Sequence, residues 1–271
     1  MIWSCLPVSL FTSIISGEMS IAEWSEAAKN MGFDAIDLSV LFIKQRTPIG
    51  LKNIKKQLNG MPVAMLTNYP DFTQPDKILR EKELAHAISD IAVASELGAK
   101  FIRLTAGQVH EGLSDEDGIR TVVNCFEACC EKAEQWGVQI LFENHSKPGA
   151  WERPDFDFHT GRFLALVDAM NGLPVSINFD TANTFALGDD ASSVFEKVID
   201  RVKSIHINDI RDVSKLEFVG IGDGNAPISS IFSIAKAHHY NGLLSIEEVG
   251  RDGLRGIQQS YTRAKALWEN A

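Results

Sequence analysis

The sequence predicts an α/β fold, a (β/α)8 TIM barrel in a single domain over residues 1–271. Three observations carry that prediction. Apolar β-rich runs alternate with longer amphipathic stretches eight times along the chain. Its 271 residues suit a barrel that typically needs about 250. The strand-like runs are apolar at consecutive positions, as expected of a parallel sheet covered by helices and buried on both faces.

The elements follow in order. A strand is expected over 2–10 and a helix near 20–31, where Ser20 and Glu23 have capping-box spacing. Strand 35–40 precedes helix 49–59, and strand 63–69 precedes helix 76–97. Strand 101–107 leads to helix 114–136. There Ser114 is a natural N-cap for Asp117, and Asp115 and Glu116 suit the positive end of the helix dipole. Strands 139–145, 175–181, 202–209 and 243–249 alternate with helices 159–170, 191–200, 226–238 and 256–268. Gly32, Gly60, Gly98, Gly137 and Gly172 punctuate helix ends, where a left-handed cap is useful. The longest irregular stretches, 146–158 and 210–225, each follow a strand end and so belong on the face where strand C-termini converge. A doubly wound open sheet is the alternative. It needs a glycine-rich phosphate loop after the first strand, and SLFTSIISGEMS lacks that fingerprint.

Composition narrows the partners. A formal charge of −10 argues against nucleic acid, whose phosphates call for concentrated Lys and Arg. No apolar run reaches the roughly 20 residues that cross a bilayer, and the apolar opening has neither a basic start nor a cleavage pattern. Cys125, Cys129 and Cys130 crowd one helix and, with Cys5, read as small buried hydrophobes rather than a disulfide framework. A reducing, cytoplasmic setting fits that usage.

Function is sought at the strand ends. Glu143 in QILFENH, Asp180 in VSINFDT, His206 in VKSIHIND and Glu247 in GLLSIEEV stand near the C-terminal ends of four runs, which a barrel brings to one mouth. Gathered carboxylates repel one another and drift up in pKa unless neutralised, and a divalent cation held by three carboxylates and an imidazole answers that need. Hard oxygen ligands favour Mn2+ first, with Mg2+, Co2+ and a catalytic Zn2+ also compatible. Each position has a plainer reading: Glu143 as a solvated strand end, Asp180 as a helix cap, His206 as a satisfied core histidine. Glu247 and Glu248 are neighbours, so a strand sends them to opposite faces, and spacing leaves open which one enters the mouth. Such a cation can bind two neighbouring oxygens of a hydroxycarbonyl compound and stabilise an enediolate. Two glutamates flanking the carbon would then give isomerisation or epimerisation, and loss of a β-hydroxyl would give dehydration. A non-catalytic sugar-binding barrel is the third reading.

The segments ILFENH, INFDTAN, SIHINDI and LLSIEEVG, with the GIGDG turn at 220–224, resemble the metal-binding strand ends of the sugar phosphate isomerase/epimerase superfamily. These are the xylose-isomerase-like TIM barrels, and the resemblance extends over nearly the whole chain. It implies metal ligands at Glu143, Asp180, His206 and Glu247. In the ketose 3-epimerase branch the first and last of these are the catalytic acid/base pair. That branch has a substrate-facing histidine where Asn183 stands and an arginine where Asp212 stands, beside Arg211. The superfamily's endonuclease IV uses extra histidines, which Asn183 and the Asp-Gly-Asn at 223–225 do not supply.

Further candidates for a carbohydrate-like substrate ring the mouth. Arg103 and Gln108 suit substrate oxygens or a carboxylate, with a structural ion pair as the alternative for Arg103. Asn68, Asn183 and Asn208 offer neutral hydrogen bonds, and Arg211 a charge. His145 and Lys147 could join proton transfer or bind an anion. Trp151, Phe156 and Phe158 are unusually aromatic for a loop, which points to a homo-oligomer contact or a lid.

Overall fold

The computed structural model describes residues 1–146 and 152–271. In chain order it forms β1 (Ile2–Leu6), α1 (Phe11–Ser16), α2 (Ile21–Met31), β2 (Ile36–Ser39), α3 (Pro48–Leu58), β3 (Val63–Thr67), α4 (Lys77–Leu97) and β4 (Phe101–Leu104). There follow α5 (Asp115–Trp136), β5 (Gln139–Glu143), α6 (Thr160–Ala169), β6 (Val175–Asp180), α7 (Ala191–Val198) and β7 (Val202–Ile207). The chain then makes β8 (Asp209–Asp212), β9 (Glu217–Val219), α8 (Ile228–Ala237), β10 (Leu243–Glu247) and α9 (Gly253–Asn270).

Eight strands lie in one parallel sheet, ordered β1-β10-β7-β6-β5-β4-β3-β2. The ring closes at Trp3, whose carbonyl accepts the N–H groups of Asp34 (3.0 Å) and Ala35 (3.2 Å). Its own N–H donates to Asp34 Oδ2 at 2.9 Å. This is the expected (β/α)8 barrel.

Helix faces explain why the layers hold. In α5, Val122, Cys125, Phe126, Cys129, Cys130 and Ala133 are buried, the three-and-four spacing that puts one stripe against the sheet. The cysteines are free and buried, as expected. Phe126 packs edge-on to Phe142 of β5 (5.6 Å between ring centres), and Phe142 stacks on Phe163 of α6 at 5.5 Å. Each such pair adds roughly 0.5–1.5 kcal/mol beyond area burial. Caps form where expected: Ser20 and Glu23 complete a capping box, and Ser114 Oγ accepts the Asp117 N–H at 3.1 Å. Gly98 and Gly137 end α4 and α5 at φ of 76° and 67°. Asn59 takes the corresponding place after α3, one residue before Gly60.

Two segments differ from expectation. The first strand stops at Leu6, because Pro7 has no N–H to continue the ladder. A short 3-10 turn and α1 follow, with Leu10 and Ile14 buried. Residues 210–225, expected to be irregular, include the antiparallel hairpin of β8 and β9. The carboxylate of Asp209 anchors it by accepting the N–H groups of Ile210, Gly222, Gly224 and Ala226 at 2.9–3.0 Å.

Inside the ring, Met65, Phe101, Leu141 and Leu243 form an apolar floor. Above it the inward positions turn polar. Asp37, Arg103, Asn178 and Ser245 are all fully buried there.

Candidate metal centre

Period-two alternation aims the key side chains. Phe142 and Phe179 face the helices, Phe179 against Phe195 of α7 at 5.0 Å between ring centres. Their successors Glu143 and Asp180 therefore face inward. Ile205 and Ile207 belong to the core between sheet and helices, leaving His206 on the inner face. Ile246 likewise turns outward, Glu247 inward and Glu248 outward again. Glu248 Oε1 lies beside Gly250 and Gly256, and burial pushes its carboxyl above the ordinary range.

Glu143, Asp180, His206 and Glu247 each offer one ligand atom, and the four atoms lie within 4.8 Å of one another. The cluster is buried throughout. Its strands, β5, β6, β7 and β10, are consecutive in the ring, with Asp180 in register with His206. His206 Nδ1 is 2.7 Å from Glu143 Oε1 and 3.3 Å from Glu247 Oε2. Asp180 joins the cap and ligand readings in one carboxylate. Its Oδ1 accepts the N–H groups of Ala182 (2.8 Å) and Asn183 (2.9 Å), while Oδ2 accepts from Asn208 Nδ2 at 3.3 Å.

Arg103 is not at the mouth but beneath it, fully buried, with Nε 3.2 Å from Glu143 Oε2. Its guanidinium lies 4.3 Å from the ring centre of Tyr69. Burial alone would push Glu143 up, but Arg103 and then His206 overcome it and hold the carboxyl down at about 2. The upward drift expected of gathered carboxylates therefore does not occur at Glu143. Burial alone would depress His206, and Glu143 and Glu247 instead raise it to about 10. Asp37, on the far side of the imidazole, is pushed up by burial to about 6.

A divalent cation fits this donor set. Three candidate carboxylate ligands and Asp37 gather round one imidazole beside the single charge of Arg103, an excess of carboxylates that a divalent cation would offset. Glu143 Oε2 and both ring nitrogens of His206 are buried without a well-directed hydrogen bond, a costly state for groups removed from water.

The other candidates fall into two sets. Asn208 touches Asp180, as above, and Asn183 sits three residues beyond it with an amide that is buried and has no hydrogen-bond partner. The rest have partners elsewhere. Asn68 donates to Asp90 (3.2 Å). Gln108 donates to Asp71 (3.0 Å) and accepts from Arg153 N–H (3.2 Å). His145 Nδ1 pairs with Asp155 Oδ1 at 2.7 Å, and exposed Arg211 pairs with Glu217 at 2.8 Å on the hairpin. Lys147 and Trp151 lie outside the described residues. Phe156 is buried rather than poised as a lid: its ring fills the space beside Gly118 and under the Arg162 guanidinium. Phe158 is half-buried against His159.

Sequence reasoning missed Asn178, whose Nδ2 donates to Glu143 Oε1 at 2.6 Å, and Asn144. The Asn144 amide accepts the Asp180 N–H at 2.8 Å and donates to the Asp180 carbonyl and Thr184 at 3.0 Å. The signal for Asn178 was present, since a residue two before Asp180 shares its face.

A family model described as xylose isomerase-like TIM barrel matches residues 25–268. The chain belongs to this family. Among curated proteins, a probable endonuclease 4 of Aquifex aeolicus is 22% identical over 224 residues, covering 74% of this chain and 77% of that one. An inosose dehydratase of Lacticaseibacillus casei is 23% identical over 204 residues, 68% of this chain and 66% of that one. Two solved structures share the fold. The IOLI protein with a bound zinc atom has a TM-score of 0.80 at 15% identity, covering 100% of this chain and 99% of its own. A D-tagatose 3-epimerase-like protein has a TM-score of 0.79 at 18% identity, covering 100% and 98%. No helix among the described residues is long and apolar enough to cross a membrane.

Proposed function

We propose that the protein is a divalent-metal-dependent isomerase or epimerase of a sugar or related hydroxycarbonyl compound, acting through an enediolate. The observation that carries this is the cluster itself: four ligand atoms within 4.8 Å at the C-terminal ends of adjacent strands, with Arg103 paired to Glu143 beneath them. Mn2+ is the preferred ion on ligand hardness, and Zn2+ is compatible with the same set. When bound, the ion supplies electrophilic stabilisation to two neighbouring substrate oxygens.

The chain's own residues do the remaining work. Glu143 and Glu247 exchange a proton with the carbon beside the carbonyl, and His206 and Asp180 complete the cradle. Arg103 and Asn178 keep Glu143 in place. Asn183 offers a donor and an acceptor in a buried amide, suited to one substrate hydroxyl. Its partnerless state in the free protein supports that assignment, since a buried polar group is costly until paired.

A second reading, a dehydratase using the same site, is favoured by the inosose dehydratase matches. A small carbohydrate suits the acidic chain better than nucleic acid does. The deciding experiment incubates metal-loaded protein with hydroxycarbonyl sugars in deuterated water. Deuterium at the α-carbon, or a changed configuration without loss of water, is expected, and a chelator should abolish it. A dehydration product would instead establish the second reading, and chelator-insensitive binding without turnover a sugar-binding barrel.

A further inference from the structure

The imidazole of His206 has two sides, and only one faces the candidate ligands. Nδ1 lies against Glu143 and Glu247, at 2.7 and 3.3 Å. Nε2 looks across the barrel to β2, where Asp37 Oδ2 is 3.9 Å away. Both side chains are fully buried. Asp37 is itself held: Ser245 Oγ donates to the same Oδ2 at 2.5 Å, and Ser245 stands in register with His206 on the neighbouring strand.

His206 Nε2 and Asp37 Oδ1 each have no hydrogen-bond partner. A buried N–H left without an acceptor costs about 1–3 kcal/mol. The acceptor facing it is a carboxylate, and a relative shift of about 1 Å would bring the 3.9 Å separation to hydrogen-bond length. A metal-ligating histidine ordinarily donates its other ring N–H to such a group, which fixes the tautomer and the ring plane.

We infer that Asp37, secured by Ser245, is a positioning residue that accepts the Nε2–H of His206 and thereby presents Nδ1 to a divalent cation. This rests on the metal reading above. Asp37 lies on β2, outside the four strands that carry the ligands, so it acts through the imidazole rather than as a ligand. It sets which ring nitrogen is free to ligate and how firmly the ion is held.

The test measures Zn2+ affinity by chelator competition, and the tautomer of His206 by 15N resonance of histidine-labelled protein. In the wild type, Zn2+ should sit on Nδ1 with the proton on Nε2. D37A should weaken Zn2+ binding about 10–100-fold and lose the single-tautomer signature. D37N, which keeps the shape and an acceptor but not the charge, and S245A should show smaller losses in the same direction. These two carry the test if D37A fails to fold. A merely structural Asp37 would lower the melting temperature in all three and leave affinity and tautomer unchanged, which overturns the inference while the metal reading stands. Wild-type protein that binds neither Zn2+ nor Mn2+ overturns both.

Discussion

Replacing Arg103 by Met removes a fixed, buried positive charge beneath the cluster. The lost contact is 3.2 Å between groups 0% and 1% exposed, so the small value of about 0–1 kcal/mol for surface pairs does not apply. Removing one partner of a buried pair leaves a charge without compensation, at a cost of about 3–5 kcal/mol. For a chain of this size that is a fall in melting temperature of roughly 6–20 °C in metal-free protein. Saturating Mn2+ should restore part of it, because the ion supplies positive charge to the same carboxylates. R103M/E143Q should be clearly more stable than R103M alone, since no stranded carboxylate remains. The pH sign follows from Glu143, held at about 2 against an ordinary 4.5. A depressed carboxyl contributes stability that is present above its unfolded pKa and lost as pH falls through the native one. The wild type should therefore lose that contribution between about pH 4.5 and 2, and the stability gap between wild type and R103M should narrow over the same acid range, because protonation removes the stranded carboxylate. Thermal and urea denaturation of both forms give these values. A metal-free loss below about 1 kcal/mol, or a double variant as unstable as R103M, would refute the reasoning.

E247Q should lose bound metal on dialysis and lose turnover, while E248Q keeps both; mass-spectrometric metal content that falls in E248Q alone would reverse the assignment of strand faces. His206, raised to about 10, carries a proton in the metal-free protein near neutrality. Mn2+ uptake at pH 7.5 should thus release about one proton, read with an indicator dye in weak buffer, and affinity should climb with pH below about 10. Uptake without proton release would contradict this. In metal-free protein the same group lends stability that is fully present below its unfolded value and fades as pH rises through about 10. G118A should destabilise by about 1–3 kcal/mol through crowding of the buried Phe156 ring, although Ala is the better helix former by roughly 1 kcal/mol. A stabilised variant would show that this ring yields freely.

The barrel was legible because parallel strands under helices leave long apolar runs, and because Ser20, Ser114 and the glycines at 98 and 137 mark helix ends by local chemistry. α1 was hidden by its length: six residues give too few turns for a period to emerge. The β8–β9 hairpin was hidden because strands of four and three residues are organised by the carboxylate of Asp209 rather than by an apolar pattern. At the centre, the four strand-end residues were readable as a set, but the choice of Glu247 over Glu248 needed the outward packing of Ile246. For Arg103 the sequence left open a substrate anion or a structural ion pair. Its actual partner, Glu143, lies on the next strand, a pairing that only sheet register reveals. Asp37 and Ser245 were invisible for the same reason, being 208 residues apart in sequence.

The prospective ligands occupy one continuous arc of the ring, β5, β6, β7 and β10, and β1 to β4 contribute none of them. Loops that follow the other arc can lengthen, shorten or change character without disturbing the ion's cradle.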